Sequence, residues 1–183
     1  MINNFLVSFT GLMEGRIWTL LTSVFSHNIL LHLIMNMLVL LSFGPIVEAA
    51  LGRTRFLKFY LCAGAFSSLC HALVSAFLLN EAAMPALGAS GAISGVIVFF
   101  SLLFPKERIF VLGIIPLPAI WGALLFVGLD IWGLVAQSEG GGLPIGHGAH
   151  LGGALAGAVY FYYLRRNNKM KMKLEPNLQI KTS

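Results

Sequence analysis

Five stretches of the chain are apolar over lengths that suit a bilayer: about 29–51, 56–79, 89–104, 109–136 and 148–164, the fourth interrupted by Pro116 and Pro118. A span needs roughly 20 apolar residues at 1.5 Å rise per residue, so each reads as a helix that crosses or nearly crosses a membrane. The N-terminal FLVSFTGLM is too short to span, and residues 1–28 read as a surface or partly embedded loop. No basic stretch or A-x-A-like site marks a cleavable signal there. Residues 165–183 are polar and basic and read as a tail. The pattern predicts an all-α polytopic membrane protein of one domain over 1–183, with a helical bundle over 29–164 and about five spanning helices.

Composition agrees with the pattern. The chain is 57% hydrophobic and 10% charged, with a mean hydropathy of +0.84, whereas a soluble domain carries about a quarter charged residues. The sequence pI near 9.5 does not point to nucleic acid, because a basic membrane protein usually owes its excess to loops on one side. Cys62 and Cys70 lie in one apolar segment at helical spacing and read as buried thiols rather than a disulfide or a metal site.

The cations fix an orientation. Arg53, Arg55 and Lys58 follow the first span, Lys106 and Arg108 the third, and Arg165, Arg166, Lys169, Lys171, Lys173 and Lys181 the fifth; the intervening loops have none, and only Arg16 lies on the other side. By the positive-inside rule the basic loops and tail are cytoplasmic and residues 1–28 face outward. A cell (inner) membrane is expected, with any site at the helix starts facing the outer side.

Polar residues collect at those starts. His32 and Asn36 lie early in the first span, Ser90 opens the third in LGASGAISG, and His150 opens the fifth. From Lys106 back to Ser90 the chain rises roughly 22 Å in a hydrocarbon core of about 30 Å, which puts the hydroxyl inside the membrane. A serine needs a base to become a nucleophile, and histidine suits that task near neutrality. Gly91 and Gly95 on one helix and Gly153 and Gly157 on the other are small faces that let backbones approach, so Ser90 and His150 can meet. Asn36 and His32, four residues apart, share a helical face and can donate to an oxyanion, as can the free N–H groups that start the third helix. The set is that of an acyl-transfer site without a carboxylate member. Of the two histidines in GHGAH, His150 precedes the glycine groove and reads as the base, while His147 reads as a hydrated residue of the outer rim.

Competing readings exist for the same residues. Ser, His and Asn in membrane helices also serve as interhelical hydrogen-bond partners, and His27, His71 and His147 are read in that way. A metal held by His32, His147 and His150 is disfavoured because no Cys, Asp or Glu stands at ligand spacing. A channel or transporter is disfavoured because no inverted repeat is visible.

Three motifs resemble the rhomboid family of intramembrane serine proteases: GRIWTLLTSVFSHNILLHLIMN (15–36), GASG (88–91) and HLGGALAG (150–157). The resemblance implies a rhomboid-like bundle with Ser90 as nucleophile, His150 as general base, and His32, Asn36 and the Ser90 backbone N–H as the oxyanion hole. It implies peptide-bond hydrolysis in or beside transmembrane segments of other membrane proteins, no cofactor, and a structural role for Glu48. A catalytically inactive rhomboid-like protein that binds transmembrane clients is the alternative. Three features depart from the family pattern. The usual Trp-Arg of the first loop is Trp18-Thr19, with Arg16 nearby; the residue four after the serine, often an aromatic packed on the histidine, is Ser94; and the first helix of the six-helix core is not seen ahead of the first-loop motif.

Overall fold

The computed structural model describes residues 4–111 and 114–167. Short helices α1 (Phe9–Met13) and α2 (Thr19–Thr22), the latter extended by a 3-10 turn over Ser23–Phe25, lead into α3 (Leu30–Leu51) and α4 (Arg53–Phe77). Then follow α5 (Ser90–Leu103), a hairpin of β1 (Arg108–Val111) and β2 (Ile115–Pro118), α6 (Ala119–Ser138) and α7 (His147–Arg166). The five expected helices all form. Helices α3, α4 and α6 are long and apolar enough to cross a membrane, whereas α5 is shorter. Exposed Leu31, Leu38 and Leu41 on α3 and Trp121, Leu129 and Trp132 on α6 give the bundle an apolar exterior suited to lipid.

Helix α5 is the axis of the bundle, with eleven of its fourteen residues buried. Its partner α7 lies against it backbone to backbone. A Cβ on Gly153 would overlap the Gly91 carbonyl, and one on Gly157 the Gly95 carbonyl, so the small faces read from the sequence bring the two backbones into direct contact. Toward the other end the same helices separate enough to hold rings: Phe59 stacks on Tyr160 at 4.9 Å, and Phe99 meets Phe161 edge to face at 5.8 Å.

Two regions depart from expectation. The fourth span begins at Ala119, not 109, because residues 108–118 form the hairpin, in which Arg108 pairs with Pro118 and Val111 with Ile115. Prolines explain the difference: Pro116 and Pro118 lack N–H donors, and each presses its predecessor into extended backbone. The helix starts immediately after Pro118. The second region is 1–28, read as a loop, which contains α1 and α2 and is pinned to the segment before α5. Val7 and Ala86 exchange backbone hydrogen bonds of 3.0 and 2.8 Å, and Thr10 N–H donates to the Ala82 carbonyl. Arg16 pairs with Glu14 at 2.5 Å. Of the basic tail, Arg165 and Arg166 close α7; Lys169, Lys171, Lys173 and Lys181 lie outside the described residues.

Candidate active site

Helices α3, α5 and α7 all begin at one end of the bundle, and the polar residues named from the sequence stand there. Ser90 is the first residue of α5, after Gly88 with φ 116°. That positive φ favours glycine, and the missing Cβ has a second use, since it would come within 2.7 Å of the His32 ring. His32 therefore packs against the turn that delivers Ser90. Its Nδ1 lies 3.2 Å from Asn28 Oδ1, and its ring meets His27 at 5.0 Å. Asn36 is buried and its Nδ2 donates to the His32 carbonyl at 2.8 Å. One N–H of that amide is thus committed within α3, and the amide carries a second.

His150 Nε2 lies 2.9 Å from Ser90 Oγ. Ser94, which replaces the family's frequent aromatic, donates its hydroxyl to the Ser90 carbonyl at 2.7 Å. The ring beside His150 comes instead from α6: Phe126 lies 5.8 Å from it, at a 32° tilt.

The same helix supplies a residue the sequence reading missed. Asp130, buried and one turn beyond Phe126, places Oδ1 at 2.9 Å from His150 Nδ1 and 2.6 Å from His147 Nδ1. The expectation of a site without a carboxylate member is corrected by this residue. A carboxylate only accepts, so both Nδ1 atoms carry hydrogen and His150 Nε2 is left with its lone pair toward the serine hydroxyl. That is the tautomer a general base requires. A signal for Asp130 did exist: it is the only charged side chain between Arg108 and Glu139, and an ionisable group inside a span is functional by default.

His147 is also corrected. Its place after a glycine-rich loop predicts a hydrated rim residue, yet it is 7% exposed. Its ring is taken up by Asp130 and by the notch at Gly133, and Gln137 in the last turn of α6 ties down the connection before it, its Nε2 donating to the carbonyls of Leu143 and Ile145 at 2.7 and 2.8 Å. Those bonds fasten the glycine-rich connection to the end of α6.

The carboxylate also changes the metal question, because ligand atoms of Asp130, His147 and His150 lie within 4.8 Å of one another, and His32 is not among them. Binding a metal through Nδ1 would put hydrogen on His147 Nε2. That atom is buried against Gly133 and has no acceptor among the described residues, and an unpaired buried donor is costly. In the hydrogen-bonded arrangement the same atom keeps a lone pair there, an acceptor with no partner among the described residues.

Comparison with known proteins identifies the family. The rhomboid domain matches residues 14–167. The chain is 33% identical over 179 residues to "RHOMBOID-like protein 12, mitochondrial" of Arabidopsis thaliana, covering 91% of this chain and 52% of the relative. It is 35% identical over 152 residues to "Rhomboid protein 1, mitochondrial" of Saccharomyces cerevisiae, covering 81% and 42%. Against "Presenilin-associated rhomboid-like protein A, mitochondrial" of Danio rerio it is 37% identical over 157 residues, covering 82% and 38%. The chain thus spans about half or less of the length of these curated relatives. Their mitochondrial names overturn the expectation of a cell (inner) membrane. Loop charges record a side of insertion, and a side does not identify a membrane.

Proposed function

The chain belongs to the rhomboid family, and from that premise we propose that it is an intramembrane serine endopeptidase. The observation that carries the reading is the 2.9 Å approach of Ser90 Oγ to a His150 Nε2 whose other nitrogen is held by Asp130. Ser90 Oγ attacks the peptide carbonyl carbon as its proton passes to His150 Nε2. A C–O bond forms and the carbonyl electrons move onto oxygen. The second N–H of Asn36, the Ser90 backbone N–H and, once it turns away from Asn28 Oδ1, the Nδ1–H of His32 are the donors proposed for that oxyanion. Collapse breaks the C–N bond, and His150 returns the proton to the departing nitrogen. Water, deprotonated by the same imidazole, then hydrolyses the acyl-serine ester.

The substrates are transmembrane segments that unwind near the membrane face where α3, α5 and α7 begin. A helix hides its carbonyls in hydrogen bonds, so small or helix-breaking residues at that depth are favoured. By likeness to the relatives named above, the membrane is a mitochondrial one.

The test is incubation of purified protein with a transmembrane substrate beside Ser90→Ala, with cleavage expected from the wild type alone. Equal proteolysis by Ser90→Ala would end the serine-protease reading. A wild type inert in every membrane mimetic would favour the client-binding alternative.

A further inference from the structure

We propose that His147 is a positioning residue: with Gly133 it locks the Asp130 carboxylate in register with His150. The inference rests on the serine-protease reading of the site and adds a residue to it.

The case begins with how Asp130 is held. Both imidazole N–H groups donate to the same oxygen, Oδ1, and Oδ2 has no partner among the described residues. The terminal torsion of an aspartate is broad. Its carboxylate plane is therefore set by two bonds, and the shorter, at 2.6 Å, comes from His147. Without it a single bond fixes the carboxylate, and that bond leads to the imidazole whose orientation matters.

His147 can act as a fixed point because its own ring is held. Gly133, one turn beyond Asp130 on α6, leaves a notch that the imidazole fills: a Cβ there would overlap Nε2 and Cε1 of His147. The ring is thus clamped between a backbone notch at its far edge and a carboxylate at its near edge. Its Nε2 faces Gly133, so His147 is not a second base. Asp130 and Gly133 share the face of α6 that meets α7, and His147 and His150 share the answering face, three residues apart. One carboxylate joins the two pairs.

Side chains that overlay different imidazole nitrogens separate this role from mere filling. The amide nitrogen of asparagine overlies Nδ1, and that of glutamine overlies Nε2. Steady-state cleavage of a transmembrane substrate is measured for wild type and for His147→Ala, His147→Asn, His147→Gln and Gly133→Ala. His147→Ala is expected to lose about 10- to 100-fold in kcat, the range seen when a group orienting a ligating imidazole is removed, with KM within about twofold because the substrate does not touch it. Asparagine restores kcat to within a few-fold and glutamine does not. Gly133→Ala, which expels the ring, behaves like His147→Ala. Undiminished kcat in His147→Ala, or equal rescue by asparagine and glutamine, overturns the proposal while leaving the protease reading intact.

A second measurement does not depend on turnover. In Ser90→Ala protein carrying ¹⁵N-histidine, the His150 Nδ1 proton is expected far downfield, unmoved by His147→Asn and displaced by His147→Gln. A His150 signal identical in all the variants sinks the inference whether or not the wild type cleaves anything.

Discussion

The interface between α5 and α7 is built in two ways at its two ends. Where the helices begin, Ser90, Gly91, His150 and Gly153 meet with almost no side-chain volume, and backbone contact sets the separation. Where they end, Phe99, Tyr160 and Phe161 fill the space with rings, joined by Phe59 from α4. The small end brings a hydroxyl and an imidazole within hydrogen-bond reach; the aromatic end supplies the packing that holds the pair of helices. A membrane interior offers little hydrophobic drive between helices, so that packing matters the more. Chemistry and cohesion are separated along one contact, and mutations at the two ends should be correspondingly different.

The largest effect is expected at the small end. His150→Ala should cut kcat by ~10⁴-fold or more, as in soluble serine proteases that lose their base. Combining it with Ser90→Ala should cost nothing further, since the two act as a unit. The thermal midpoint should barely move. A variant that lost activity and midpoint together would show that the two ends are not separable.

Asp130→Asn should come next. It keeps the shape and removes the charge, and its amide can turn an N–H toward His150 and impose the opposite tautomer. A fall in kcat of about 10²- to 10⁴-fold is expected, toward the loss seen when the soluble triad makes the same exchange. Full activity in Asp130→Asn would reduce the site to Ser90 and His150 alone.

These two variants also mark how far the sequence could be read. Ser90, His150 and the four glycines were legible because their roles follow from order and spacing along single helices. Asp130 was visible as a lone carboxylate in an apolar run, but its partner lies on another helix, and which face of α6 meets α7 is decided by packing. His147 was misplaced for a related reason. The loop before it reads as hydrated, and the partners that hold its ring inside, Asp130 and the notch at Gly133, lie on another helix. The start of the fourth span was hidden by apolar residues that suit a hairpin strand as well as a helix, with two prolines deciding between them.

At the aromatic end Phe99→Ala should act on stability. Phe99 is fully buried and touches three rings, and its loss should cost about 3 kcal/mol, the low end for such truncations. Below the unfolding transition, cleavage should stay within a few-fold of wild type. Combining Phe99→Ala with Ser90→Ala should give additive stability changes, as expected for sites that share no partner. A large coupling would mean that the rings set the register of Ser90 and His150.

The smallest effect tests the phenyl ring beside His150. Phe126 lies 5.8 Å from the His150 ring, in the role that an aromatic four residues after the serine would otherwise fill. Packing between two rings is worth roughly 0.5–1.5 kcal/mol beyond the area it covers. Phe126→Leu keeps an apolar side chain there and removes the flat face, so the imidazole gains freedom to swing while its bond to Asp130 remains. The expected loss is about fivefold in kcat, corresponding to ~1 kcal/mol, with little change in the thermal midpoint. Pairing Phe126→Leu with Ser94→Phe asks whether either helix can supply the ring: recovery of kcat would place the orienting face on α5 or α6 interchangeably. A Phe126→Leu variant as fast as wild type would show that Asp130 holds His150 without help from the Phe126 ring.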